Sequence, residues 1–554
     1  MIGLNKIGLN QVQLNRLRLN APFPAYGKMA GGGGSGDGFP VLPGDVTRWH
    51  FGGLTNEMMA AMDDPRIEDA DGKGRFLSFK NFAWKGMSGV GGYGDENHLT
   101  FYKFALDDYV FIAIKPGVKH MNFTFRVTGL QPGNKLTLAF FGTTNTVYGT
   151  WDKDGIYTVK SAVVEVGKPV YFYNGYGSTR GEFTIEILPL YPGALVFDGV
   201  DDYGTCNNFP ILTKEKGYTV VALRQWISMG EGLYGLVSNT KNWFNDGAFI
   251  LEYGSNNATN KFVNRPVSFG KVNIEMDLPN NFTYQTSKSY KGVPITTGSF
   301  KGTNSLFVGK LNNIIGNCSN VAIWELVFLD HDATEEELTK IKNYFVKTYP
   351  WLFPDQAWTV VGKTNEDEDR ATIANITGNG NDLLLSNFGF AEGSGYNEEG
   401  EYAGYLVTDG VDDRVVSSSF TLNKDWTIVG NWKMLQPEDN KSAGIVKQNS
   451  LFIYNHVDGL SISINAAYSS FKLKDIRSVN AICSDGRIYL NDWTEIIDSK
   501  QQTVNESVGT LVIGILGNVY TSLAFKNLGF YNNQNLSKDD CIKAYNNLQT
   551  LKAK

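Results

Sequence analysis

The sequence predicts a mainly β protein built from two copies of one domain, the first copy interrupted by a smaller β domain. Three observations predict it. Gly is abundant, at 61 of 554 residues, and His is scarce, at 5, which suits turn-rich sheets better than helical bundles. Short runs of β-branched and aromatic residues recur between turn signals. A long-range internal repeat runs through the chain, and its offset changes once.

The repeat has three landmarks. Residues 67–82 (IEDADGKGRFLSFKNF) match 373–388 (IANITGNGNDLLLSNF) at an offset of 306, sharing Ile67/Ile373, Gly72/Gly378, Gly74/Gly380, Leu77/Leu383, Asn81/Asn387 and Phe82/Phe388. FDGVDDY at 197–203 matches TDGVDDR at 408–414 at 211, and LFVGK at 306–310 matches LVIGI at 511–515 at 205. The offset falls by 95 residues between the first and second landmarks and then stays nearly constant. One insertion of that length, between Gly89 and Phe197, accounts for it, and it suits one small β-sandwich.

Within the insertion, Tyr109–Lys115, Asn122–Thr128, Lys135–Phe141 and Glu182–Leu188 read as strands, with a turn at Leu130-Gln131-Pro132-Gly133. Each copy closes with a strand (Val321–Leu329; Ala524–Tyr531) and then a helix. Thr334 and Ser537 are N-cap hydroxyls with an acid three residues on. Leu338, Ile341 and Phe345 share one helix face, as do Ile542, Tyr545 and Leu548.

The first twenty residues repeat a pentad, MIGLN KIGLN QVQLN RLRLN. Its apolar residues would scatter around a helix but alternate within each pentad, and Asn tolerates the turn conformation between pentads. Such a segment cannot bury its own apolar side. It reads as an attachment or oligomerisation arm, with Leu4, Leu9, Leu14 and Leu19 as its contact residues. A glycine tether, Ala30 to Gly38, follows.

Composition excludes several classes. The net charge of −7 gives no general attraction to nucleic acid. No apolar run reaches the length of a membrane helix, and the arm's asparagines break any signal-peptide core. Cys206, Cys318, Cys483 and Cys541 form no CxxC pair and read as free thiols.

Several of these motifs carry a family resemblance. Thr377–Asp382 (TGNGND), FDGVDDY at 197–203 and DGRIYLN at 485–491 resemble the laminin-G-like, concanavalin A-like jelly rolls, as does the closing strand and capped helix. Copy two departs at Thr408, where that family carries an aromatic residue, and copy one shows no clear counterpart of the DGRIYLN hairpin. The resemblance implies two jelly-roll sandwiches, one at 49–91 plus 193–352 and the other at 353–554. A small Ig-like sandwich at 92–192 interrupts the first, after the arm (1–30) and linker (31–48). The layout as a whole resembles structural proteins of bacteriophages and prophages of Bacteroides-type gut bacteria.

Candidate chemistry is sparse. Some jelly rolls hydrolyse glycans with carboxylates on one strand; the near match at Glu275–Asn280 has an Asn in place of the third acid and a proline inside it. The run Glu366–Asp369 reads as a solvated loop. Asp198, Asp201 and Asp202, with Asp409, Asp412 and Asp413, recur in both copies; they suit a carboxylate-capped turn better than a calcium site, which stays the alternative. Trp226 and Trp432 lie at matching places inside apolar strands and read as core. Trp243 and Trp493 sit in loop-like stretches, where a flat indole can stack on a sugar face.

The expected function is therefore a non-enzymatic virion structural protein, a head or tail fibre or decoration displaying glycan-binding jelly rolls for host attachment. Its expected partners are other virion proteins through the arm, most simply in a homotrimer, and a host-surface glycan, with no nucleic acid and no membrane insertion. No cofactor is expected; calcium at the aspartate triplets is the alternative. The protein's place would be the virion surface after assembly in the host cytoplasm. The rival readings are a bacterial carbohydrate-binding or adhesion protein and, less well supported, a glycan hydrolase.

Overall fold

The computed structural model of the protein describes residues 38–54, 56–82, 84, 100–104, 109–112, 120–141, 145–163, 170–174, 183–228, 233–240, 249–255, 261–265, 272–275, 281–294, 303–312, 318–400, 402–435, 444–448, 451–456, 459–464, 470–474, 478–497, 506–516 and 519–553. The chain is mainly β, and its sheets pair antiparallel throughout these residues. None of the described helices is long and apolar enough to cross a membrane.

The repeat is reproduced strand for strand in the outer sheets, and copy two's inner sheet carries one further strand among the described residues, Gly395–Asn397. Copy one has an outer sheet of eight strands in the order Val272–Glu275, Lys261–Arg265, Ile250–Ser255, Leu233–Ser238, Leu306–Val308, Tyr203–Cys206, Phe76–Lys80 and Arg66–Glu68. Copy two repeats that order with Ser470–Lys474, Gly459–Ile464, Leu451–His456, Gly444–Gln448, Ser507–Ile513, Arg414–Leu422, Leu383–Ser386 and Thr372–Ile373. The inner sheets correspond as well, each centred on the long closing strand, Asn320–Leu329 or Ser522–Asn532. Copy one also has the hairpin that its sequence hides. It is cut down to Ser289–Tyr290 and Val293–Pro294, opposite Arg487–Leu490 and Glu495–Ile497 in copy two.

The paired strands correct one match made from sequence. Trp432 pairs with Phe525 just after a bulge, and Arg224 pairs with Ile323 just after the equivalent bulge. Trp432 therefore corresponds to Arg224, and Trp226 to Met434. Both tryptophans are core residues, at 2% and 3% exposure, but they do not occupy the same place. Both copies share the bulge, so it is not the cause of the mismatch. The offset falls from 211 at Asp202/Asp413 to 208 at Arg224/Trp432 because the connection between them is three residues shorter in copy two, and constant sequence spacing misaligns here.

Each sandwich encloses its own core. Leu77, Leu236, Val308 and Phe328 meet in the first, and Leu383, Ile453, Ile513 and Phe530 in the second. A third core joins the copies. The other faces of the two inner sheets (Val221, Trp324 and Val327; Val429, Ala481 and Tyr531) pack with both helices, Glu335–Thr348 and Lys538–Leu548. The layers thus run outer sheet, inner sheet, helices, inner sheet, outer sheet. This explains why Val321–Leu329 reads as an apolar run interrupted by a single acid, since both faces of that strand are covered. Its single acid, Glu325, is fully buried and accepts from Arg48 Nη1 (2.8 Å) and Tyr349 Oη (2.9 Å). Thr334 forms the predicted capping box with Glu337, and Ser537 caps the last helix through the Asp540 amide. All four cysteines are free and buried.

The inserted segment forms two four-stranded sheets of its own. One carries Thr100–Phe104, Phe183–Leu188, His120–Thr128 and Gly155–Val163; the other Tyr109–Ile112, Val170–Asn174, Leu136–Phe141 and Asn145–Trp151. The first sheet's Ile156 packs against the core that joins the copies, and Asn546 of the last helix donates to Pro189 O at 3.3 Å, so the insert is seated against copy two.

Candidate functional site

The most repeated local geometry is the loop holding the aspartate triplets. In copy one the Val200 and Asp201 amides donate to Asp198 Oδ1 (2.7 and 3.3 Å), and the Asp198 amide donates to Asp202 Oδ2 (3.3 Å). Copy two repeats this with Val411 and Asp412 on Asp409 Oδ1 (2.7 and 3.4 Å) and Asp409 on Asp413 Oδ2 (2.8 Å). Gly199 and Gly410 both stand at φ +79°, with Asn320 and Ser522 pressed so close that a Cβ would collide. An asparagine in the left-handed region, Asn81 at φ +68° and Asn387 at +69°, pins each loop by donating to Asp201 O or Asp412 O (3.0 Å each). The invariant features of the repeat thus build one rigid turn. It presents a valine at its tip, Val200 at 76% exposure and Val411 at 71%.

One carboxylate oxygen from each aspartate of a triplet lies within 4.8 Å of the others. The carboxylates of Asp198, Asp202, Asp409 and Asp413 accept from backbone amides of the same loop, the geometry of a carboxylate-capped turn, while Asp201 and Asp412 are exposed. In copy two Asp413 is buried and also accepts from Ser394 Oγ (3.0 Å); burial, with Asp409 and Asp412 adding to it, pushes its carboxyl up to about 6.

The tryptophans expected to meet sugar fare differently. Trp243 and the arm leucines Leu4, Leu9, Leu14 and Leu19 lie outside the described residues, as does Asp277. Trp493 does not project into solvent. It is fully buried, edge-on to Tyr545 (5.6 Å between rings), and donates from Nε1 to Thr158 Oγ1 of the insert at 3.2 Å. Trp493 takes the left-handed place (φ +58°) that ends the three-residue hairpin loop, closed by the Leu490 amide donating to Thr494 O at 3.0 Å, and its side chain lies in the joint core. The run Glu366–Asp369 is a capped turn, with Asp367 accepting from the Thr364 amide and hydroxyl at 2.9 Å each.

Sequence reading missed three features. Trp49 and Trp358 are equivalent, fully buried, and tie the first strand to the first hairpin by donating to Arg75 O (3.3 Å) and Asn381 O (2.9 Å). Their offset of 309 differs from the 306 of the adjoining landmark, which hides them. The second feature is Glu252, inside the first sandwich. It accepts from Arg224 Nε, Trp226 Nε1 (2.7 Å each) and Tyr290 Oη (3.0 Å). Burial opposes its charge, but the Arg224 guanidinium prevails and holds the carboxyl down at about 2. Only the isolated acid in an apolar stretch, Phe249–Tyr253, could have signalled it. The third is Lys526, a half-buried lysine in the closing strand of copy two.

No protein-family model matches the chain, and no curated protein does. Among solved structures, the binding domain of botulinum neurotoxin serotype D aligns at 11% identity over 61% of this chain and 87% of its own, with a TM-score of 0.24. A sialidase of Trypanosoma rangeli aligns at 9% identity over 86% of this chain and 82% of its own, with a TM-score of 0.26.

Proposed function

We propose that the chain is a non-enzymatic display protein, carried on a bacteriophage or prophage particle by its N-terminal arm, whose jelly rolls bind host-surface glycans. The observation that carries this reading is the joint core. It packs the two sandwiches against each other through their inner sheets and helices, so the outer sheets and the rigid valine-tipped loops are what the body offers to a partner. Binding rather than hydrolysis is supported by the state of the acids. Glu252 is sealed among its donors with its charge held on, Asp198, Asp202 and Asp409 are tied to backbone amides, and Asp413, though its carboxyl is raised to about 6, is buried against Ser394 where a sugar does not reach it.

The arm supplies attachment in this reading. Its eight apolar side chains on twenty residues would each gain about 1.5–3 kcal/mol from burial, which an assembly provides and the segment alone does not. Deleting residues 1–30, or replacing Leu4, Leu9, Leu14 and Leu19 by Ser, is expected to give a soluble monomer with intact sandwiches that no longer joins particles. Sedimentation and particle incorporation test this; unchanged mass and unchanged incorporation would remove the arm from the account.

A further inference from the structure

On the joint-core side of its inner sheet copy two differs from copy one in a group of neighbouring residues: strand pairing sets Lys526 at the place of Trp324, Tyr405 at that of Ala194 and Lys433 at that of Gln225. In copy one Trp324 is fully buried, its Nε1 donating to Pro192 O at 2.8 Å and Gly193 lying against its ring. Strand pairing makes Lys526 the counterpart of Trp324, and Gly404 the counterpart of Gly193. Gly404 stands at φ +78°, as Gly193 does, and an added Cβ there would lie 4.0 Å from Lys526 Nζ. The left-handed glycine is thus shared, but a cation replaces the indole and a tyrosine and a second lysine stand beside it.

The surroundings of that cation are aromatic and polar. Lys526 Nζ lies 5.4 Å from the centre of the Tyr405 ring, and Lys433 Nζ lies 5.3 Å from the centre of the Tyr402 ring. Tyr402 and Tyr405 meet edge to face at 6.4 Å. Tyr405 Oη is held by Asn431 Oδ1 (3.1 Å), which Gln549 steadies in turn (3.3 Å). No carboxylate among the described residues forms an ion pair with Lys526 Nζ, and no described group accepts a hydrogen bond from it. An ammonium group taken from water without a counter-ion is costly, and burial accordingly pushes the Lys526 amine down to about 8. A bound anion would remove that cost; Tyr405 is buried and backs the amine, while the half-buried Tyr402 is the aromatic side chain that reaches the surface and can meet a sugar ring.

We propose that Lys526, Lys433, Tyr402 and Tyr405 form a subsite that binds the carboxylate of an acidic sugar, such as a uronic acid. The subsite rests on the glycan-binding reading for its biological role but not for its chemistry, and the test separates the two. The full-length protein, with its lysines reductively ¹³C-methylated, is titrated with glucuronate and, in parallel, with neutral glucose. Lys526→Met identifies the Lys526 resonance. Glucuronate is expected to shift that resonance and raise the amine's titration midpoint, with glucose doing neither. In a matched binding assay with uronate-bearing and neutral oligosaccharides, Lys526→Met is expected to weaken the acidic ligands at least tenfold and leave neutral ones alone. A Lys526 resonance indifferent to glucuronate would overturn the subsite, whatever the oligosaccharides do. A shifted resonance with no oligosaccharide bound would keep the subsite and refute the glycan-display reading. Acidic oligosaccharides bound equally by wild type and Lys526→Met would keep the reading and refute the subsite. Lys526→Arg, which keeps the charge, should retain most of the preference and shows that a loss in the methionine variant is not misfolding.

Discussion

Replacing Trp493 should produce an inverted order of stability between alanine and glycine. The indole is fully buried against Tyr545 and Tyr489 and donates to Thr158 of the insert. Truncating a buried aromatic side chain costs about 3–5 kcal/mol. The backbone at φ +58° works the other way, because holding a non-glycine residue in the left-handed region costs about 1–2 kcal/mol, which glycine escapes. Trp493→Ala loses the packing and keeps the strain; Trp493→Gly loses the packing and sheds most of the strain. Glycine's greater freedom in the unfolded chain takes back about 0.4–1 kcal/mol. Both variants should therefore be destabilised, the glycine variant less so by about 0.5–1 kcal/mol. Urea denaturation, with hydrogen exchange to locate the change at the 487–497 hairpin, measures it. A glycine variant clearly less stable than the alanine one would refute the left-handed placement. Destabilisation below about 1 kcal/mol in both would refute burial, and would return Trp493 to the exposed sugar-facing role its sequence position suggests.

Further expectations follow from the same contacts. Glu252→Gln should destabilise the first sandwich by about 3–5 kcal/mol by leaving Arg224 buried without its counter-charge, whereas the paired change Arg224→Met with Glu252→Leu should be far milder; equal losses would argue against a closed ion pair there. Asp413 has its carboxyl raised to about 6 from an ordinary 3.8, so the stability it contributes is full below about pH 3.8 and is lost as pH rises through about 6. Asp413→Asn should flatten the stability profile in that window, and an unchanged profile would show the group to be solvated. Asn387→Ala should loosen the copy-two loop by about 1 kcal/mol through loss of its bond to Asp412 O, with a matching effect for Asn81→Ala in copy one, both read as faster amide exchange at the loop.

The fold was legible in the sequence where short motifs impose unique backbone geometry. Asn81/Asn387 and the Asp-Gly-Val-Asp-Asp loops carry positive φ angles and local carboxylate caps that few residues can satisfy, so they persist in both copies and reveal the repeat. The capped helices were legible for the same reason, through Thr334 and Ser537. What could not be read were long-range pairings. The connection into this strand is three residues shorter in copy two, a change in offset from 211 to 208 that no sequence marker announces, so Trp226 and Trp432 looked equivalent. Trp493 looked exposed because its neighbours are polar; its burial depends on Thr158, more than three hundred residues earlier in the chain. Lys526 was hidden because a lysine in a strand has no signature until its partners, or their absence, are known.

The central claim is that these joined sandwiches bind glycans and do not cleave them. The most direct measurement applies the intact chain to an array of bacterial surface glycans and assays the bound ligands for released reducing ends. The account predicts saturable retention on a restricted set of glycans, enriched in acidic sugars, with no release over hours. Release of reducing ends, or no retention on any glycan at micromolar protein, would contradict it.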